Sequence, residues 1–359
     1  MDHFIDQIEI KNFKSIRDLK LTGFKRINLF IGRPNVGKSN MLEALSLFSL
    51  PYVWGGSKKF TDIIRLQNLR ELFHSGVINK GSGIRLSRKA SPNTLESCNF
   101  SFERESGSIS IITDIVKRGN AEEKSTRDHT IYRAYTNIDS KLKVSKTYVS
   151  EQARLRIVEK PRFVSIKPYI FNQSVNYKEY DTPFLYPPLG NNLLYILQLM
   201  PELRQLYARW FRDYGLRLVL DTVSQSLKIQ KNSNNDEVFL LPYSSVADTL
   251  QRIIFYKTAI ASNENSVLLF EEPEAHAYPP YISEFTQEVI GSKTNQTFIV
   301  THSPLIVNDM LDNAIDDLAI FMVDFKDGQT VARPLTHDEL HEVRKFGVDL
   351  FFNGESYPV

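Results

Sequence analysis

Apolar residues recur along the chain with two periods, and the points where the period changes mark the elements. Phe4, Ile5, Ile8 and Ile10 alternate with polar neighbours and predict a strand, and Asn12-Phe13-Lys14-Ser15-Ile16 turns the chain into a second one near Leu19–Leu21. Ile27–Ile31 is apolar except for Asn28, the pattern of a strand buried on both faces. Met41, Leu42 and Leu45 then fall on one helical face, in a helix that runs to about Phe48 and ends before Pro51. Gly55-Gly56 breaks the chain, and Phe60–Phe73 reads as helical. Alternating segments at Ile84–Leu86, Cys98–Phe102, Ile109–Ile115 and Thr130–Tyr135 predict an antiparallel β insertion, interrupted by polar Gly119–Asp128.

Further on, Phe171–Pro188 is rich in Tyr and Pro and reads as irregular linker. Asn191–Tyr214 has helical spacing, which Pro201 must kink or split. Short strands at Leu216–Leu220, Leu227–Ile229 and Val238–Leu241 lead to a strong helix, Asp248–Ile260. Val267–Phe270 and Thr297–Val300 are two more buried-strand runs, separated by a helix at Tyr281–Ile290. After strands at Ala319–Val323 and Thr330–Pro334, Thr336 and Glu339 form a capping box that opens a terminal helix. The stripe Val343, Phe346, Leu350, Phe351 and Phe352 then either packs on the chain's own core or forms an interface.

Composition narrows the class. Hydrophobic residues at 42% and charged residues at 24% describe an ordinary globular protein, and a net charge of +2 over 359 residues is no polycation. DNA is a possible partner only through a local patch. Lys141–Lys167 is the candidate, with eight Lys/Arg, two Glu and interleaved Tyr148 and Phe163. The same composition fits a solvated face. A single cysteine, Cys98, excludes an intrachain disulfide and a cysteine-based zinc site. No apolar run approaches a membrane span, and the N-terminus lacks a signal layout, so the expectation is a cytoplasmic protein without membrane contact.

Three short stretches carry chemistry. Gly32-x-x-x-x-Gly37-Lys38-Ser39 stands between a buried strand and a helix, the context of a phosphate-binding P-loop. Glycines let successive N–H groups point at phosphates, and the helix N-terminus adds the positive end of its dipole. Gly32, Asn35, Gly37, Lys38, Ser39 and Asn40 are therefore the candidate nucleotide-binding residues, with Lys38 on the β/γ-phosphates and Ser39 on Mg²⁺. In Val267–Glu274, a buried strand ends in Glu271-Glu272, at the edge that faces the ligand crevice in a doubly wound sheet. Glu271 is assigned to Mg²⁺ and Glu272 to the attacking water. Thr297–Pro304 repeats the arrangement, and His302 at the strand's end is placed to sense the γ-phosphate.

In this order and spacing the P-loop, VLLFEEPEAHAYP and FIVTHSP resemble an ABC-type ATPase head, most closely its RecF/SMC/OLD-like branch. The opening IEIKNFKSIRDLKL and the closing THDELHEVRKFGVDLFFNGE are similar to the same branch, so the resemblance covers about residues 1–75 and 190–359. It implies an α/β P-loop NTPase with a mixed sheet, flanking helices, an antiparallel β insertion and a helical lobe. The parts would be residues 1–75 with Walker A, 76–188 as β-rich insertion and basic linker, and 189–359 with the signature, Walker B and switch histidine. It implies ATP with Mg²⁺ as cofactors, Glu272 and His302 as catalytic residues, Glu271 as the Walker B acid, and a glutamine such as Gln67 as a further sensor.

The same resemblance implies that two heads sandwich ATP, each completing the other's site. The signature would lie at Pro242–Thr249, with Ser244 and Ser245 as its hydroxyls. Here the chain departs from the pattern, because no glycine stands between Gly215 and Gly291; Walker B also ends in Glu-Glu rather than Asp-Glu. The function implied is a nucleotide-driven switch that forms homo-oligomers and controls a separate effector, as in two-gene phage-defence systems of the PARIS or Septu kind. The stretch after His302 is too short for a nuclease domain, so effector chemistry is expected from another chain. The alternatives are a RecF-like DNA-binding ATPase of repair or recombination, and a scaffold that binds ATP without turnover.

Overall fold

The computed structural model describes residues 4–50, 60–78, 81–88, 91–103, 105–117, 129–150, 166–173, 177, 182–231 and 238–359. Two compact units divide the chain: residues 1–168, 265–272 and 294–359 form one, and 169–264 with 273–293 the other.

The first unit begins with antiparallel β1 (Ile5–Phe13) and β2 (Ile16–Thr22), followed by β3 (Ile27–Ile31) and α1 (Lys38–Ser46). Next come β4 (Gly83–Arg88), β5 (Ser91–Glu103), β6 (Ser108–Lys117), β7 (His129–Ile138), β8 (Val144–Ser150) and β9 (Ile166–Tyr169). The expected insertion strands do not make a sheet of their own. They extend the β1–β2 pair into a seven-stranded sheet of order β2-β1-β4-β5-β6-β7-β8. Ile10 pairs with Leu19 on one side and Ile84 on the other, so β1 is an interior strand. The turn-rich Gly119–Asp128 and most of the basic 141–167 stretch lie outside the described residues.

One expected helix is absent. Between residues 60 and 73 the chain forms two short 3₁₀ turns, Phe60–Asp62 and Leu69–Leu72, instead of an α-helix. Phe60, Ile63, Ile64, Leu66, Leu69, Leu72 and Phe73 are all buried, a spread too wide for one helical stripe. Asn68 also accepts a hydrogen bond from the Arg70 N–H through its own side chain, which competes with helix propagation.

The second unit holds α2 (Leu193–Leu199), α3 (Pro201–Arg212), β10 (Leu216–Asp221), β11 (Ser226–Lys231), β12 (Phe239–Pro242), α4 (Asp248–Ala261) and α5 (Pro279–Gly291). Pro201 splits the helical stretch as anticipated, starting α3 where its missing N–H costs nothing. β10, β11 and β12 form a small antiparallel sheet. Lys257 of α4 reaches Glu284 and Glu288 of α5 at 3.1 and 2.7 Å.

The remaining elements return to the first unit: β13 (Val267–Glu271), β14 (Gln296–Val300), α6 (Pro304–Ala314), β15 (Leu318–Lys326), β16 (Gln329–Pro334) and α7 (His337–Phe346). The six-stranded sheet runs β16-β15-β3-β14-β13-β9. β13, β14, β3 and β15 are mutually parallel, with Ile299 opposite Leu29 and Leu29 opposite Ile320. Every residue of β3 and β14 is buried, the polar Asn28, Gln296 and Thr297 included, as strands covered on both faces require. Phe24, Phe30, Phe298 and Phe321 pack ring on ring, with Phe24 and Phe298 edge to face at 5.2 Å. Buried Gln296 ties β14 to β1, accepting from the Ile5 N–H at 2.7 Å and donating to the Ile5 carbonyl at 3.1 Å.

The capping box forms as read: the Glu339 N–H donates to Thr336 Oγ1 at 3.2 Å, and the Thr336 N–H to Glu339 Oε2 at 2.7 Å. Arg333 also binds Glu339 through two nitrogens and holds its carboxyl down to about 2. Thr336→Ala should cost about 1 kcal/mol of stability, measured by urea unfolding. The aromatic stripe divides: Val343 and Leu350 are buried, whereas Phe346 and Phe352 are exposed.

Candidate functional site

β3 delivers the chain to the loop at Gly32, and α1 carries it away at Lys38. Packing beneath the loop dictates its two glycines. A Cβ on Gly32 would lie 2.1 Å from the Val323 carbonyl oxygen. A Cβ on Gly37, whose φ is +96°, would lie 2.1 Å from Thr330 Oγ1 and 2.4 Å from Ser15 Oγ. Ser15 and Thr330 thus floor the loop. Their hydroxyls are 2.6 Å apart, and Thr330 donates to the Val36 carbonyl at 2.8 Å. Asn40, expected among the nucleotide contacts, donates its side-chain amide to Ser15 Oγ at 2.6 Å. Asn35 takes φ +64°, which keeps the loop curled, and Ser39 is half-buried in the first turn of α1. Gly37→Ala should lower stability by about 1–3 kcal/mol and weaken nucleotide binding, as read by urea unfolding and calorimetric titration.

Lys38 closes the loop on itself. Its ammonium donates to the Gly32 and Arg33 carbonyls at 2.9 and 2.7 Å. Burial lowers its pKa, and the carboxylates of Glu272 and Glu271 pull the other way. Strand, loop and both acids therefore converge on one ammonium.

The acids come from the end of β13. Glu271 accepts a hydrogen bond from Arg65 Nη2 at 2.8 Å, and Arg65 Nε reaches Glu43 of α1 at 2.9 Å. Buried Glu43 also pairs with Lys14. Sequence reasoning missed this Lys14–Glu43–Arg65–Glu271 chain, because its members are scattered over the β1–β2 turn, α1, irregular backbone and the end of β13. Gln67, the suggested sensor, is exposed, and its backbone N–H donates to Glu71 at 2.9 Å. Glu272 sits at φ +43°, a left-handed conformation that costs a non-glycine residue roughly 1–2 kcal/mol. Its N–H is fixed on the Val300 carbonyl at 2.8 Å, which aligns the ends of β13 and β14. His302 follows β14, with Nε2 3.7 Å from Glu272 Oε1. Burial and then the Lys38 charge hold the imidazole below its ordinary pKa, opposed by Glu272. The ring is therefore neutral near pH 7 and keeps one nitrogen lone pair.

Gly32, Asn35, Gly37, Lys38, Ser39, Glu271, Glu272 and His302 thus share the C-terminal edge of the parallel strands. Ser244 and Ser245 belong to the second unit, in a 3₁₀ turn before α4; the Ser244 carbonyl accepts from Gln173 Nε2 at 3.3 Å. Asp248 in that stretch is paired with Arg252 at 2.6 Å. The cradle fits a polyphosphate: two glycines with no room for a side chain, a curled backbone and one buried ammonium. Among the described residues there is no group of three or more His, Cys, Asp or Glu arranged for a metal. The hard oxygens of Ser39 and Glu271 suit Mg²⁺ that arrives with phosphate oxygens completing its shell.

A family model described as "AAA domain, putative AbiEii toxin, Type IV TA system" matches residues 27–308, which takes in the loop, both acids and His302. The chain belongs to this family. Local stretches of this AAA-domain protein are similar to curated proteins. An uncharacterized protein of Methanocaldococcus jannaschii is 52% identical over 44 residues, 12% of this chain and 20% of that protein. An ATP/GTP phosphatase of Helicobacter pylori is 49% identical over 41 residues, 11% of each chain. The DNA replication and repair protein RecF of Lactococcus lactis is 44% identical over 46 residues, 13% of each. The chain therefore spans at most about a fifth of these relatives.

Among solved structures, an SMC head bound to the C-winged helix domain of ScpA covers 94% of the AAA-domain chain and 99% of its own, at 14% identity and TM-score 0.48. The SMC head domain of Thermotoga maritima covers 92% and 99%, at 13% identity and TM-score 0.40. Both scores are too low to equate the folds. The kinship anticipated from the motifs is carried instead by the family match and the local likeness to RecF. The chain is built as the mixed α/β P-loop fold that the motifs implied and carries the AAA domain of that family.

Proposed function

We propose that this protein binds ATP with Mg²⁺ and hydrolyses it slowly, and that ATP joins two or more copies into an assembly that controls a separate effector. The observation that carries this reading is the Glu272–His302 pair, 3.7 Å apart at the ends of neighbouring strands and within electrostatic reach of Lys38. Lys38 and the loop N–H groups hold the phosphates, and Ser39 and Glu271 are the residues that would hold Mg²⁺. Bound Mg²⁺ neutralises charge on the phosphate oxygens. Glu272 orients water and takes its proton, and neutral His302 holds a hydrogen bond at the terminal phosphate.

In this reading Ser244 and Ser245 serve the site of a second copy. The lack of glycine around them makes closure weak and turnover slow. The family's description as a putative toxin of a type IV system is what supports a defence setting; its direction at phage and its place in the cytoplasm are part of the proposal. No described helix is long and apolar enough to cross a membrane. The test is light scattering of the full chain with Mg²⁺ and ATP, ADP or no nucleotide. ATP alone should raise the mass at least twofold, as expected for an isologous dimer. Bound ATP without any change in mass would remove the assembly from the proposal.

The likeness to RecF supports a second reading, a DNA-binding ATPase. Strong duplex binding that weakens steeply with salt would favour it.

A further inference from the structure

After α7 the chain turns at Gly347, φ +62°, and residues 348–359 run back to the phosphate loop. Leu350 and Tyr357 are buried anchors of this tail. The β15–β16 hairpin grips its far end: Arg333 Nε donates to the Pro358 carbonyl at 2.6 Å, and Lys326 Nζ to the Val359 carbonyl at 2.5 Å. Between the anchors, the Glu355 carboxylate pairs with the guanidinium of Arg33, which stands inside the loop between Gly32 and Pro34. Phe351 packs beside His302, with ring centroids 6.4 Å apart. Tail and loop enclose a cavity of about 610 Å³, walled by Gly32, Arg33, His302, Phe351 and Tyr357 among others.

The Arg33 carbonyl holds Lys38, but its side chain has no role in the site as described above. Its guanidinium is a planar, permanently charged fork that suits phosphate, and it rises from the loop that cradles phosphate. Its partner here is a carboxylate, the side-chain group closest to phosphate in charge and hydrogen-bonding geometry. Arg33 and Glu355 are 71% and 84% exposed, so their attraction is screened by water and weak. A polyphosphate carries several charges and arrives with the loop's N–H groups already aimed at it.

We propose that Glu355 is an internal stand-in for phosphate on Arg33. The tail is latched across the loop without nucleotide, and the terminal phosphate takes Arg33 from Glu355 and frees it. Release loosens the segment between the Leu350 and Tyr357 anchors and withdraws Phe351 from His302, so occupancy of the site is reported there. This rests on reading the loop as an ATP site.

Hydrogen–deuterium exchange of the full chain, paired with ATP titration, tests it. In the parent, ATP should speed exchange in residues 351–356, between the two anchors. Glu355→Gln should exchange fast there without nucleotide and bind ATP about threefold tighter, the size expected from removing a weak exposed competitor. Arg33→Ala should free the tail and weaken ATP binding about tenfold, the loss of one charge-assisted phosphate contact. The swap Arg33→Glu with Glu355→Arg should keep the tail protected with or without ATP, and bind ATP weakly. If the parent binds ATP while Glu355→Gln binds no tighter and exchanges no faster, the latch is overturned and the nucleotide site stands. If the parent binds no ATP at all, the reading of the site falls and takes the competition with it.

Discussion

Lys38→Ala should weaken ATP binding at least about 100-fold, close to 3 kcal/mol, with the fold retained. Lys38 is the one buried ammonium in the loop, 4% exposed, and it is already desolvated before any ligand arrives. The cost of taking it out of water is therefore met during folding, and its attraction to phosphate operates in a low-dielectric setting where charge counts more. Without it, Glu271 keeps only exposed Arg65 as a partner and Glu272 loses the nearest ammonium, so the loss exceeds that of one surface contact. The substitution also removes the ammonium that draws the Gly32 and Arg33 carbonyls together. Lys38→Arg should not rescue it, because the planar fork cannot sit in a cradle that closes on a compact ammonium. Titration calorimetry with a non-hydrolysable ATP analogue measures the affinity, and circular dichroism checks the fold. A loss smaller than threefold would remove Lys38 from the site.

Glu272→Gln should reduce kcat about 10²–10⁴-fold while leaving ATP affinity within threefold. That corresponds to roughly 3–5 kcal/mol at the barrier. Gln has the shape of Glu but cannot accept a proton at neutral pH. It tolerates the left-handed backbone at φ +43° about as well as Glu does, so stability should barely change. The backbone strain is held by the Glu272 N–H bond to Val300, which the substitution keeps. Phosphate release in single-turnover and steady-state assays separates the steps. If the variant turns over like the parent, Glu272 is not the base. If both turn over only at background, the protein binds ATP as a scaffold. His302→Ala should have a smaller effect, because in the proposed reading its ring holds a hydrogen bond and moves no proton.

Much of this was legible in the linear pattern. Short, mostly apolar runs at Ile27–Ile31, Val267–Phe270 and Thr297–Val300 pointed to strands covered on both faces, and all three lie side by side in the six-stranded sheet. The phosphate loop was legible because its glycines and Lys38 are contiguous, and Glu272 and His302 because each directly follows such a strand. The stretch from 60 to 73 was misread, since a run dense in apolar residues has a helical look whenever its true burial comes from packing on several sides. The division of the aromatic tail between buried Leu350 and exposed Phe352 was also beyond the pattern.

By itself, then, the sequence determined where the candidate nucleotide chemistry stands and the strand-loop-helix frame that presents it, because those depend on residues adjacent in the chain and on a hydrophobic period. Tertiary structure alone decided what surrounds that chemistry. Ser15 and Thr330 come from opposite ends of the chain to floor the loop. Arg65 bridges Glu43 to Glu271 from backbone without a period. Glu355 finds Arg33 across more than three hundred residues. Such contacts are set by how sheets and turns pack, and polar side chains on irregular backbone leave no repeating trace in the chain that would announce their partners.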